Sequence, residues 1–441
     1  MKVTCEHGDG SHLTIDAFDC TKDLNDKTLV LKMLNELPKK LGMKTIVDPV
    51  VVDYKDNKGK ESGVTGFVVI AESHIAIHTY PEKNFFSADI FSCKEFDYFK
   101  AIDYFREEFG AGKIEHKIIS RGFEDKFDID GKLKDVKGFK LENKNVLDLL
   151  SDFETIGFQA TNLSKASKII DKMKKEEATV FLSFTSNMVS SGLREVFAQL
   201  VKHKMVDAII TSVGSIEEDL MKTKKPFLLG DFNVSDVDLH KKGTNRIGNI
   251  FVPTDRYESL EGLLQPFFGE MLKKQKESGK MISPSELIFE LGKTVDDENS
   301  IIYWATKNNI PIFCPGITDG ALGLQLYFFK QENKEFGIDV TNDMHKAAEM
   351  VITADKTAGI VLGGGIAKHH LIGLNILRDG LDFAVYVTTA TEGDGSLSGA
   401  RPKEAKSWSK IKEEGNVVCV EGDATIIFPF LAIKMNEVFK W

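Results

Sequence analysis

The chain of 441 residues reads as an α+β sandwich followed by a larger α/β domain with a mostly parallel sheet. Three observations predict this. The length exceeds what one hydrophobic core fills, so two or three domains are expected. Up to Phe123, β-rich runs separated by turn residues surround only two helical stretches. From Val146 onward, short apolar strands alternate with amphipathic helices, the pattern of a parallel sheet covered on both faces. The expected division is 1–123 for the first domain, 124–142 for a Lys-, Asp- and Gly-rich linker or hairpin, and 143–441 for the second. No internal repeat or low-complexity segment interrupts it.

In order, HLTIDAFDC (12–20) alternates as a first strand, and 26–41 has helical spacing at Leu29, Leu31, Met33, Leu34 and Leu37, closed by Pro38 and Gly42. Thr45–Tyr54, Gly66–Ala71, His74–Thr79 and Ala88–Ser92 are β-rich. Lys94–Phe109 reads as a second helix ending at Gly110. In the larger part the expected elements are ATVFLSF then helix 192–204, VDAIITS then helix 217–221, IPIFCP, GIVLGGG, FAVYVTTA and VVCVEG.

Composition narrows the function. Apolar and charged fractions of 42% and 28% are those of an ordinary globular protein. A net charge of -10 argues against nucleic-acid or anionic-membrane partners. No apolar run reaches the ~18 residues of a membrane span, and the N-terminus lacks a signal-like apolar region, so a cytoplasmic protein is expected. Five scattered cysteines without a CxxC pair read as reduced, with no zinc site. Cys5, His7 and His12 are close enough to hold a metal, but alternation on a short strand gives the same spacing without one; no metal is expected.

Two stretches carry chemistry. In AESHIAIHTYPE (71–82), followed by SADIFSC (87–93), a strand puts His74, Ala76 and His78 on one face and Ser73, Ile75 and Ile77 on the other. The residues alone allow a buried strand with satisfied histidines, or a Ser–His–Asp hydrolase, although no GxSxG elbow surrounds Ser73. In GDGSLSGARPKEAKSWSKI (393–411), Gly-flanked serines can cradle phosphates, Pro402 suits a first helical turn, and Glu404 and Trp408 share a face at i, i+4. For Lys410 to share their site, that helix must end near Ser409.

GSHLTIDAFDC, GVTGFVVIAESHIAIHTYPE and ADIFSC resemble the prokaryotic S-adenosylmethionine decarboxylase family over 1–123. The resemblance implies self-cleavage between Glu72 and Ser73, leaving Ser73 as a pyruvoyl group that takes a substrate amine as a Schiff base and acts as electron sink for decarboxylation. It assigns His78 and Thr65 to processing, Cys93 as proton donor and Glu82 to substrate contacts. KNFFSADIFSCKE departs from the family's common pattern, which leaves S-adenosylmethionine, ornithine and arginine open as substrates.

ETIGFQATNLSKA (154–166), FTSNMVSSGLRE (184–195), SVGSIEEDL (212–220), TNRIGNIFVP (244–253), PGITDGALG (315–323), LGGGIAKHH (362–370), the 393–411 stretch and GDATIIFP (422–429) together resemble deoxyhypusine synthase of the archaeal type. That implies a Rossmann-like domain and NAD-dependent transfer of an aminobutyl group from a polyamine to an acceptor amine. Lys410 would be the covalent lysine and would need a depressed pKa, with His369 as the acid–base group. Trp408 would pack on the polyamine and Glu404 would hold an amine. NAD would contact Thr185, Ser186, Asn187, Ser190, Glu218, Asp319, Gly364, Gly365, Asp394, Ser396, Ser398, Asp423 and Ala424. Leu324 and Leu397 stand where eukaryotic members have aspartates; Gly393, Gly373 and Ser409 are further departures.

The resulting expectation is a bifunctional polyamine enzyme, a pyruvoyl decarboxylase joined to an aminobutyl transferase. Its partners are small amines: putrescine, spermidine, and an amino acid or S-adenosylmethionine. Fusion to a decarboxylase favours putrescine as acceptor, hence homospermidine synthesis. The alternatives are modification of a translation-factor lysine, or one half serving as a dead oligomerisation scaffold. Both families imply a homo-oligomer, here a tetramer.

Overall fold

The computed structural model describes residues 10–55, 62–94, 96–121 and 134–439. It divides into two units, Met1–Lys134 and Asp135–Trp441. In the first, β1 (Gly10–Cys20), β2 (Val50–Lys55), β3 (Ser62–Ile70), β4 (Ser73–Tyr80), β5 (Phe85–Ser92) and β6 (Ala111–Arg121) form an antiparallel sheet in the order β2-β3-β4-β5-β1-β6. Alternation sends Leu13, Ile15, Ile75, Ile77 and Phe86 into a core shared with Val30, Leu34, Phe105 and Phe109 of two helices, Lys27–Lys40 and Tyr98–Phe109. The opposite face carries His12, His74, His78 and Asp89.

Local chemistry sets the helix ends. Asp26 accepts hydrogen bonds from the amides of Thr28 and Leu29, and Asp97 from Lys100. The Asp97 cap starts the second helix at Tyr98 rather than at Lys94, and Gly110 closes it at φ 61°. The expected strand at Thr45–Tyr54 begins only at Val50; Thr45 makes a single bridge to Ile70.

In the second unit, β7 (Thr179–Phe184), β8 (Ala208–Thr211), β9 (Leu228–Leu229), β10 (Thr244–Ile247), β11 (Ile250–Pro253), β12 (Ile312–Phe313), β13 (Thr357–Leu362), β14 (Leu381–Thr388) and β15 (Ile411–Glu421) build two sheets. The larger is wholly parallel, in the order β12-β8-β7-β13-β14-β15. Alternate residues enter two separate cores: Leu182, Ile360 and Val385 on one face, Phe181, Val361 and Ala384 on the other. Burial on both faces explains the unbroken apolar runs. The chain leaves β7 toward β8 and β12, then returns to the other side of β7 for β13, β14 and β15. The strand order therefore reverses between β7 and β13.

The smaller sheet, β10-β11-β9, is antiparallel. It and the helices Asp255–Ser278, Pro284–Gly292 and Ile301–Asn308 lie where the sequence reading assigned no elements. Of the expected linker, residues 124–133 lie outside the described residues. Among the described residues, no helix is long and apolar enough to cross a membrane.

Candidate active sites

Glu72 and Ser73 sit at the turn between β3 and β4. Ser73 has φ 154°, a backbone region that favours glycine. The carboxyl of Glu72 is buried, and its Oε2 has no hydrogen-bond partner among the described residues. The Glu72 carbonyl oxygen accepts a hydrogen bond from the Cys93 amide at 3.1 Å. Ser73 Oγ lies 3.1 Å from His74 Nδ1. His74 Nε2 is 3.2 Å from Asp89 Oδ1, and the same oxygen is 3.0 Å from His12 Nε2.

The register opposes Thr65 to His78 across β3 and β4, and Thr65 Oγ1 meets His78 Nδ1 at 3.1 Å. These two expected processing residues thus form a pair. Five residues of strand, ~16 Å at about 3.3 Å each, separate that pair from Ser73. Glu82 lies beyond the far end of β4, where its Oε1 accepts from the amide and hydroxyl of Ser62 at 2.8 and 2.7 Å. The structure therefore does not gather Ser73, His78 and Glu82 around one point of this unit. It gathers Ser73 with His74, Asp89 and His12, of which the sequence reading had given none a role in processing.

Cys20, Cys314 and Cys419 are free, but Cys93 is disulfide-bonded, which corrects the expectation of reduced cysteines throughout. Proton donation by Cys93 calls for its reduced thiol. Cys5 and His7 lie outside the described residues, and His12 Nε2 meets Asp89 Oδ1 at 3.0 Å.

In the second unit, every expected cofactor residue follows the carboxyl end of a strand of the parallel sheet. Thr185, Ser186, Asn187 and Ser190 follow β7; Glu218 is in the helix after β8; Asp319 follows β12; Gly364 and Gly365 follow β13; Asp394, Ser396 and Ser398 follow β14; Asp423 and Ala424 follow β15. Asn187, Ser190 and Asp423 line one cavity of about 790 Å³ with Lys222, Phe227 and Ile250. Ser190 Oγ donates to Glu218 Oε2 at 2.5 Å. Burial pushes the Glu218 carboxyl up to about 7; the Ser190 hydrogen bond opposes this, the Glu217 charge adds to it, and Lys222 opposes it. Lys222 donates to the carbonyls of Val189, Ser190 and Ser191 at 2.7, 2.7 and 3.0 Å, fixing the turn after β7.

The loop after β14 is seated on the glycine turn. The Gly365 amide donates to Ser398 Oγ at 3.2 Å, and a Cβ on Gly364 would stand 2.2 Å from that oxygen. Lys368, buried in the helix Gly365–Leu374, donates to the carbonyls of Leu397 and Ala400 at 2.6 and 2.8 Å and lies 4.5 Å from the Tyr386 ring centroid. Burial pushes its ammonium down to about 8. His369, next to it, is exposed, while burial first and His369 second lower the pKa of His370.

The short helix Pro402–Lys406 ends as expected: Ser409 takes φ 53°, and the Lys410 amide bonds back to the Ala405 carbonyl at 3.0 Å. That reversal brings Lys410 Nζ to 5.2 Å from the centroid of the Trp408 ring, while Glu404 and Trp408 remain exposed. Leu324 lines an apolar groove of about 680 Å³ with Gly320, Tyr327 and Ile338. Glu217, missed in the sequence, binds the Leu322 amide at 2.7 Å through Oε2 and so holds the start of the helix Ala321–Glu332. Nothing in the SIEEDL string separates its role from that of Glu218.

Comparison with known proteins finds a family match for each unit. Residues 148–435 match the deoxyhypusine synthase model, and residues 11–122 match that of S-adenosylmethionine decarboxylase. A probable deoxyhypusine synthase of Pyrococcus furiosus is 49% identical over 68% of this chain and 95% of its own. One from Methanocaldococcus jannaschii is 50% identical over 68% of this chain and 97% of its own. A crystal structure of a candidate deoxyhypusine synthase from Entamoeba histolytica superposes with a TM-score of 0.52 at 30% identity, covering 69% of this chain and 98% of the other. The chain therefore belongs to the deoxyhypusine synthase family through its larger unit, and carries ahead of it a unit that matches the S-adenosylmethionine decarboxylase family.

Proposed function

We propose that the protein is a bifunctional enzyme of polyamine synthesis, in which a self-processing pyruvoyl-dependent decarboxylase precedes an NAD-dependent aminobutyl transferase. The observation that carries the second half is the placement of all thirteen NAD candidates at the carboxyl ends of one parallel sheet whose strand order reverses between β7 and β13. That order supports a doubly wound, Rossmann-like reading, in which the reversal point takes a dinucleotide. The residues fit such a group. The turn at Gly363–Gly365 starts a ten-residue helix whose N-terminal end favours phosphate, and the loop seated on it through the Gly365 amide offers Ser396 and Ser398.

NAD, when bound, supplies a hydride acceptor for oxidation of an amine carbon and returns the hydride at the end. The chain's own residues do the rest. Trp408 offers a face to methylenes and ammonium. Glu404 attracts a terminal amine, Lys410 beside Trp408 is the nucleophile, and His369 moves the proton. In the first unit, the pyruvoyl group supplies an electron sink. Glu72, Ser73, Thr65 and His78 take part in making it, Cys93 as a thiol returns the proton, and Glu82 contacts the substrate amine.

The small-amine acceptor, with homospermidine as product, is the leading reading because a joined decarboxylase producing putrescine would supply that acceptor. The second reading, a protein lysine, is favoured by the near-50% identity to probable deoxyhypusine synthases. Purified protein incubated with NAD, putrescine and spermidine separates them. Homospermidine is expected; aminobutylation of a precursor translation factor without homospermidine refutes the leading reading. Carbon dioxide release from ornithine, arginine or S-adenosylmethionine identifies the first substrate; release from none, with an intact chain, leaves that unit as a scaffold. A homotetramer is part of the same proposal.

A further inference from the structure

We infer that His74, held by Asp89 and His12, is the base that removes the Ser73 hydroxyl proton in the first step of chain cleavage. This deepens the self-processing reading above and rests on it. The geometry around Ser73 is that of a nucleophile, a base and an orienting acid. Ser73 Oγ is 3.1 Å from His74 Nδ1. The other ring nitrogen of His74 stands 3.2 Å from Asp89 Oδ1, so a proton on Nε2 leaves Nδ1 as the acceptor. His12 Nε2, 3.0 Å from that same oxygen, fixes the carboxylate from the neighbouring strand. Cross-strand pairing makes the arrangement rigid: Ser73 faces Ser92, Ala76 faces Asp89 and His12 faces Phe91. Phe91 and Phe67 flank the His74 ring at 6.0 and 5.6 Å between centroids.

Two further features suit the electrophile. The Glu72 carbonyl already accepts a hydrogen bond from the Cys93 amide, which would strengthen as negative charge grows on that oxygen. Ser73 is held at φ 154°, so the bond to be broken lies beside a strained residue. The step balances without a co-reactant. The Ser73 oxygen bonds to the Glu72 carbonyl carbon as its proton passes to His74. The carbon–nitrogen bond between Glu72 and Ser73 then breaks, and the proton goes from His74 to the departing nitrogen, giving an ester and a free amine. The later elimination, which removes the Ser73 α-proton, is a separate step, and the Thr65–His78 pair stands ~16 Å from Ser73 along the strand.

The test is the time course of cleavage in the full-length chain, read by intact mass, with hydroxylamine added to cut any ester. The expected result is two fragments from the native protein and an intact chain from Ser73→Ala. His74→Gln should slow cleavage about 100-fold or more, the usual share of a general base, without accumulating a hydroxylamine-sensitive ester. Imidazole should restore cleavage to His74→Gly. Asp89→Asn should be slow and Asp89→Glu should recover part of the rate, which a purely structural role would not give. Thermal unfolding compared with Ser73→Ala checks that each variant is folded. If the native chain cleaves and His74→Gln keeps pace with it, or if the ester builds up in that variant, the assignment of His74 is overturned while self-processing stands. If the native chain never cleaves, both fall.

Discussion

The ammonium of Lys368 lies 2.6 Å from the carbonyl oxygen of Leu397, joining the helix after β13 to the loop after β14. With the second bond to Ala400 it fixes the stretch that carries Ser396 and Ser398. Lys368→Met keeps the volume but strands two carbonyls, so a stability loss of about 2 kcal/mol is expected. NAD should bind roughly tenfold more weakly, because the loop it would meet is no longer preorganised. Chemical denaturation and a fluorescence titration with NAD check the two effects.

Gly364 meets the same loop from below. A Cβ there falls 2.5 Å from the Ser398 Cα as well as 2.2 Å from its Oγ, so backbone has to move. Gly364→Ala is expected to cost about 1–3 kcal/mol and to abolish measurable NAD binding. Gly373→Ala, whose Cβ meets nothing within 4 Å, serves as control and should bind NAD normally.

Glu218 gives a pH signature. Its folded pKa of about 7 exceeds the ordinary 4.5, so the folded chain holds a proton that the unfolded chain releases between those values. Its contribution to stability is therefore fully present below pH 4.5 and is lost as pH rises through 7. Glu218→Gln removes this slope. Between pH 5 and 8 the native protein should lose roughly 2–3 kcal/mol relative to the variant, measured by denaturant midpoints at each pH.

Arg194 and Asp219 form a buried ion pair at 2.6 Å, and Asp219 also accepts from the Ser300 hydroxyl and the Ile302 amide at 2.7 and 3.0 Å. Asp219→Ala leaves a buried guanidinium without this partner and should destabilise the second unit by about 3–5 kcal/mol. A lowered unfolding midpoint checks it.

Lys410→Ala should remove aminobutyl transfer by at least about a thousandfold while NAD still binds. Retention of transfer would remove Lys410 from the nucleophile's role. Mass spectrometry of the products and an NAD titration decide.

What was readable in the sequence follows the range of the forces involved. The alternation of β4 is local, so the shared face of His74 and His78 was visible, as was the end of the helix Pro402–Lys406 at Ser409. Pairing partners are not local. Asp89 is fifteen residues from His74 in the chain, and only the β4–β5 register makes them neighbours. The crossover after β12 is equally silent: nothing in IPIFCP says that the next strand lies on the far side of β7. Nothing in the run KHH (368–370) sets Lys368 apart, and only the packed loop shows why a lysine is buried there.

The order β2-β3-β4-β5-β1-β6 has a consequence for the chain if it is cut before Ser73. The short piece would own β1, β2 and β3, and the long piece β4, β5 and β6. Because β1 is laced between β5 and β6 and β3 is paired with β4, neither piece can depart without unzipping three ladders. The nicked molecule would run as two bands once denatured, yet travel as one particle and melt as one, its scar sealed by interleaving rather than by any covalent tie.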